Sequence, residues 1–247
     1  MSRIYIEAMG DSAFSVVFGH FISKKVNQHI RTFLAVLDAK QLYGVSEWVP
    51  SYTSVTVYYD PARVSYTALK KELEQCIGEM QDAVLPHAKV YEIPVGYGGE
   101  YGPDLEKVAE HNQLQPEQVI ERHTANPYLI YMLGFTPGFP YLGGMNESLS
   151  TPRLKTPRSL VKAGSVGIAG AQTGIYSLDS PGGWNIIGRS PVKLLDMKHT
   201  QPVLLAAGHY IRFISVSAKT YQSIEQQVCD GTYEVKVDEV KEEDYDA

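Results

Sequence analysis

Gly134-Phe-Thr-Pro-Gly-Phe-Pro-Tyr-Leu-Gly-Gly144 alternates glycine, proline and aromatic residues over eleven positions. No helix tolerates that texture, and its two X-Pro bonds stiffen what would otherwise be a loose loop. Read outward, the same texture persists: residues 126–217 hold 12 of the 21 glycines and 8 of the 14 prolines, with short apolar runs between them. The runs Tyr128–Leu133, Ser165–Ala169, Gly174–Leu178, Asn185–Ile187, Val192–Leu195 and Tyr210–Val216 therefore read as strands of an all-β barrel. Ser217–Val228 reads as a closing helix and Tyr233–Val237 as a last strand, followed by an acidic tail, 238–247, expected to fray. The stiff aromatic loop either lines a pocket or packs as a barrel corner, and composition leaves both open.

Upstream the pattern is different. Arg3–Met9 and Ala13–Phe18 read as strands around a Gly10-Asp11 turn. After the N-cap candidate Ser23, Val26, Ile30, Phe33, Leu34 and Leu37 fall on one helical face. Strands follow at Ser46–Pro50 and Thr53–Tyr59, then a helix from Ser65 with Leu69, Leu73, Cys76, Ile77 and Met80 on one side, then a strand at Lys89–Val95. The economical arrangement is an α+β N-terminal domain, residues 1–88, with an antiparallel sheet and helices on one face. Pro103–Asn112 and Pro116–Thr124, each opened by a proline, read as linking helices of a second domain, residues 89–247.

Charge is distributed unevenly. The chain carries 22 Lys+Arg against 28 Asp+Glu, a net charge of −6. That balance argues against a nucleic-acid binder. Residues 126–217 nevertheless contain eight basic residues against Glu147, Asp179 and Asp196, a local excess of +5 where an anion would be held. No apolar run approaches a membrane span, and the N-terminal residues lack a signal-peptide pattern, so a cytoplasmic protein without membrane attachment is expected. Cys76 and Cys229 stand far apart and read as free thiols, and the seven histidines show no metal-ligand spacing, so no metal site is expected.

Several chemistries are excluded by motif: there is no GxxxxGK(S/T) phosphate loop, no GxGxxG behind a strand, no HExxH and no GxSxG elbow. What remains is a set of stiff segments with polar groups. Ser180-Pro-Gly-Gly-Trp-Asn-Ile-Ile-Gly-Arg189 brings paired glycines up to an arginine, and Arg158 follows Pro157. Guanidinium groups on stiff backbone suit bidentate binding of carboxylate or phosphate. The alternative is that both arginines pair with Asp179, Asp196 or Glu147. Gln172, Thr173 and Tyr176 add uncharged polar groups between them.

Four long motifs make the sequence recognisable: Glu92-Ile-Pro-Val with Gly98–Asp104, Tyr131–Gly144, Ala163–Tyr176 and Ser180–Arg189. In this order they resemble the family of 5-oxoprolinase B subunits (PxpB), which includes inhibitors of sporulation kinases (KipI) and is also called allophanate hydrolase subunit 1. The resemblance implies a cyclophilin-like barrel after the α+β domain. It also implies an ATP-dependent cleavage of 5-oxo-L-proline to L-glutamate, carried out with homologues of the 5-oxoprolinase A and C subunits and inactive in this chain alone. ATP enters as co-substrate of the complex, not through a phosphate loop here. The alternative role within the family is inhibition of a sporulation histidine kinase, relieved by a partner of the KipA type, the C-subunit homologue. Carried over by motif, Arg158 and Arg189 are the catalytic candidates, and Phe135, Pro137, Phe139, Tyr141, Gln172, Thr173, Tyr176 and Trp184 the substrate-binding ones. Lys162 and Ser177 stand where the family usually has proline.

Overall fold

A computed structural model describes residues 4–82, 87–198 and 200–240. The chain divides into two compact units, Met1–Pro86 and His87–Ala247.

In the first unit β1 (Tyr5–Ala8) and β2 (Ala13–Val17) form a hairpin, followed by α1 (Lys24–Lys40), β3 (Val45–Pro50), β4 (Ser54–Tyr59) and α2 (Tyr66–Glu79). The four strands form one antiparallel sheet in the order β1-β2-β4-β3. Each helix begins where a serine can satisfy an otherwise orphaned amide: Ser23 Oγ accepts from Val26 N at 3.2 Å and Ser65 Oγ from Ala68 N at 3.3 Å, contacts worth about 1 kcal/mol each. Alternation then decides what is buried. Phe14 faces Val57 and Val16 faces Val55 across the β2–β4 ladder. These four side chains join Ile30, Phe33 and Leu37 of α1 and Leu69, Leu73 and Cys76 of α2 in one core.

The second unit runs β5 (Ala88–Tyr97), α3 (Leu105–His111), α4 (Pro116–Thr124), β6 (Tyr128–Leu133), β7 (Pro140–Gly143), β8 (Arg158–Val161), β9 (Ser165–Ala169), β10 (Gln172–Ile175), β11 (Ser180–Gly182), β12 (Asn185–Arg189), β13 (Tyr210–Ser215), α5 (Ala218–Asp230) and β14 (Val237–Val240). Its main sheet is ordered β10-β9-β12-β5-β13-β6-β7. The β5–β13 pair is parallel and its other ladders are antiparallel, so the sheet is mixed. The ten residues of β5 serve two neighbours on one side: β14 pairs with Ala88–Tyr91, and β12 with Gly96 and Tyr97. The edge strands β7 and β10 lie against one another without a ladder among the described residues, and a Cβ on Gly174 would sit 3.4 Å from the carbonyl oxygen of Pro140. The sheet is thus nearly closed around Ile93, Val95, Ile130, Val166, Ile168, Ile187, Ile211 and Phe213. β8 and β11 form a separate two-stranded ribbon.

Several expectations need correction. Val192–Leu195 is not a strand; Leu195 makes only an isolated bridge to Val203. Val192 and Leu194 are buried all the same, so the apolar run marks a core-filling loop. The last strand begins at Val237 rather than Tyr233 and includes residues of the tail expected to fray, because Val237–Val240 pair with β5. The rest of that tail, 241–247, lies outside the described residues. Pro103 stays outside α3, which starts at Leu105 after an Asp104 whose carboxylate is engaged elsewhere. β7, β8 and β11 were hidden within Gly/Pro-rich sequence.

Candidate functional site

A cavity of about 300 Å³ opens on the second unit between the aromatic loop, the 153–157 segment, β10 and the 181–184 turn. Phe135, Phe139, Tyr141, Gln172, Tyr176 and Trp184 line it, so six of the ten residues expected at the site meet there. Arg153, Pro157, Pro181, Gly182 and Gly183 complete the wall. Phe139 is the hub. Its ring stands edge-on to Phe135, Tyr141, Tyr176 and Trp184, at centroid distances of 5.7, 5.6, 5.5 and 5.7 Å and interplanar angles of 69° to 88°. Edge-to-face contacts of this kind are favoured by the ring quadrupoles and lock the cluster in place. Phe139, Tyr176 and Trp184 are buried, whereas Phe135 is 68% exposed at the mouth.

Two backbone features shape this wall. Phe139 N donates to Thr136 O at 3.1 Å, closing a turn with Pro137 and Gly138 at its centre, and Gly138 takes φ +77°. Proline followed by a positive-φ glycine is the preference of a type II turn. Pro137 is exposed and absent from the lining: it forms the loop and is not part of the pocket wall. The Thr136 and Ser177 hydroxyls meet at 3.1 Å, so the serine standing where the family usually has proline tethers the loop. On the opposite side a Cβ at Gly182 would collide with Tyr176 Oη, so only glycine lets the tyrosine pack there. Burial raises the Tyr176 pKa; Arg153, a backbone hydrogen bond from Trp184 and Arg158 oppose that rise.

Both catalytic candidates stand outside the lining. Arg158 Nη2 donates to Asp104 Oδ1 at 2.8 Å, and its Nη1 reaches Trp184 O at 3.4 Å. It pairs with an acid, though none of the three anticipated. Arg189 Nε donates to Ala163 O at 3.1 Å, beside a Gly164 held at φ +82°, where a Cβ would run into Ser190 O. Arg153, which sequence reasoning did not single out, supplies the cation of the lining. Among the described residues it has no hydrogen-bond or ion-pair partner.

Thr173 is on the other face of β10. Strand alternation sends Gln172 to the pocket and Thr173 into the barrel, where its hydroxyl donates to Gly167 O at 3.0 Å. That hydroxyl has one hydrogen, so at 2.8 Å His123 Nε2 must be the donor to Thr173 Oγ1, and Tyr97 Oη therefore donates to His123 Nδ1 at 2.7 Å. His123 is fully buried and stacks on Phe213 with centroids 4.8 Å apart. Burial lowers its pKa to about 3. His123 and Tyr97 carried no sequence signal, since neither lies in a stretch whose spacing suggests a shared site. Among the described residues no helix is long and apolar enough to cross a membrane.

Residues 4–205 match the family model described as carboxyltransferase domain, subdomain C and D. The chain is 42% identical over 235 residues to the 5-oxoprolinase B subunit of Bacillus subtilis (strain 168), covering 91% of this chain and 98% of that one. The crystal structure of TTHA0988 superposes with a TM-score of 0.73 at 38% identity, covering 83% of this chain and 40% of that one, so this chain spans about two fifths of that protein. At 18% identity the Kluyveromyces lactis urea amidolyase superposes with a TM-score of 0.75 over 96% of this chain and 16% of its own length, a likeness of fold.

Proposed function

Because this chain belongs to the family of 5-oxoprolinase B subunits, we propose that it is the B component of an ATP-dependent 5-oxoprolinase that cleaves 5-oxo-L-proline to L-glutamate together with homologues of the A and C subunits. The observation that carries the reading is the aromatic cavity: about 300 Å³, walled by the side chains of Phe135, Phe139, Tyr141, Tyr176 and Trp184 with Gln172 and one arginine. That volume is at the small end for ligand pockets and suits a compact ring compound. In this reading the nearly closed sheet is the cyclophilin-like barrel of the family.

The chemistry explains why partners are needed. A lactam carbonyl is a poor electrophile, and transfer of the ATP γ-phosphoryl group to its oxygen makes the ring carbon attackable by water. The ring C–N bond then breaks as the nitrogen takes a proton, which leaves a γ-glutamyl phosphate, and a second water splits that acyl phosphate to release glutamate and phosphate alongside the ADP. Such a route needs fixed cations and hydrogen-bond donors near developing charge. This chain has no phosphate loop, so the nucleotide is assigned to the complex, and the role assigned to this chain is to grip the ring. Within it Arg158 serves as a positioning residue: Asp104 fixes one guanidinium nitrogen while the other reaches the Trp184 carbonyl of the wall. The test is reconstitution: glutamate and ADP should form only when all three components are present. Comparable turnover by this chain alone overturns the reading of it as one part of a complex, and no turnover by the full set overturns the reaction.

A further inference from the structure

We infer that Arg153 is the residue that selects a carboxylate in the aromatic cavity, so that the site takes small ring compounds bearing one acid group; the inference rests on the ring-binding role proposed above. Three observations carry it. First, Arg153 supplies the cation in the lining, and among the described residues no acid or carbonyl engages its guanidinium. Arg158, by contrast, is committed to Asp104, and Arg189 lies outside the lining.

Second, the backbone on both sides of Arg153 is fastened to the turn that carries the pocket wall. Asn185 Nδ2 donates to Pro152 O at 2.9 Å, and Leu154 N donates to Gly183 O at 2.7 Å. Immediately before Pro152, Thr151 exchanges two backbone hydrogen bonds with Gly170. The side chain is exposed, but its root is fixed beside Gly183, which reduces the ordering cost of closing on a ligand. Third, the charge is felt inside the cavity: Arg153 comes ahead of Arg158 among the influences that hold down the Tyr176 pKa. A planar guanidinium in the lining of an aromatic cavity can match a carboxylate bidentately, while the rings take the apolar body.

The test uses the full chain and the fluorescence of Trp184, isolated by Trp48→Phe. 5-Oxo-L-proline is titrated against 2-pyrrolidinone, the same ring without the acid. The acid should bind about tenfold or more tightly than the neutral ring. Arg153→Gln should erase that preference and leave 2-pyrrolidinone binding unchanged, and Arg153→Lys should restore part of it. A preference that survives Arg153→Gln, a parent chain that prefers no ring acid to the neutral ring, or no binding of any ring acid overturns the inference. If benzoate binds with the same dependence on Arg153 while 5-oxoproline does not, the carboxylate role stands and the 5-oxoprolinase reading falls.

Discussion

Arg158 and Asp104, 54 residues apart in sequence, meet at 2.8 Å, and the second carboxylate oxygen of Asp104 accepts from Ile186 N at 2.7 Å. One buried acid thereby ties the residue before α3 to β8 and to β12, beside the pocket. Arg158→Met should leave that carboxylate with the Ile186 amide alone. Breaking a buried pair costs about 3–5 kcal/mol, and since the arginine is one-third exposed, we expect about 2 kcal/mol. Urea denaturation checks this, and an unchanged midpoint would show that the pair is idle.

Gly182→Ala is a sharper probe of the cavity. Its Cβ would collide with Tyr176 Oη, so the tyrosine ring must move, and with it the edge-on contact to Phe139. The ribbon β8–β11 can absorb part of the strain, so the chain should still fold, with stability reduced by about 1–3 kcal/mol. Affinity for 5-oxoproline should fall at least tenfold. Retained affinity would mean that the Tyr176 wall does not contact the ligand.

These two variants mark what was legible in the sequence. Helix faces such as Ile30, Phe33 and Leu37 announced themselves because 3.6-residue periodicity is local. The aromatic residues of the pocket other than Tyr176 were legible for a similar reason, being concentrated in two stiff segments. Pairings across the chain were not. Nothing in Pro157-Arg158 says that its acid is Asp104, and nothing in Thr151-Pro-Arg153 says that this arginine, not Arg158 or Arg189, lines the cavity. β7 and β11 were unreadable because Pro140, Pro181 and Gly182 are poor strand formers whose placement depends on neighbouring strands. Carry-over by motif puts Thr173 in the site together with Gln172, whereas strand alternation sends these neighbours to opposite faces.

Phe135 trades stability for its place at the mouth. It takes φ +64°, a left-handed conformation disfavoured for a bulky residue, and leaves 68% of its surface exposed. Phe135→Gly should relieve that strain and raise stability by about 1 kcal/mol. The same change removes a ring packed edge-on against Phe139, so 5-oxoproline should dissociate several-fold faster. Stopped-flow release together with a urea midpoint checks both halves, and loss of stability would show that the ring is structural.

His123 sets the acid limit of the second unit. Its imidazole is neutral, donating from Nε2 to Thr173 and accepting at Nδ1 from Tyr97, with Phe213 stacked on it and the Tyr128 hydroxyl donating to its carbonyl. Burial holds its pKa at about 3, whereas an unfolded chain protonates histidine near 6.5. The folded pKa is depressed, so this contribution is fully present above pH 6.5. Below that the unfolded chain takes up a proton that the folded chain refuses, and stability declines as pH falls from 6.5 toward 3. Between pH 7 and pH 5 the loss from this one site is about 2 kcal/mol. His123→Phe keeps a ring against Phe213 but leaves the Tyr97 hydroxyl without its acceptor, so the variant should be about 2–3 kcal/mol less stable at pH 7. Its stability should nonetheless fall by about 2 kcal/mol less than the parent's on going to pH 5. Urea unfolding of both proteins at the two pH values measures the difference, and equal losses would show that His123 is protonated without resistance in the folded chain.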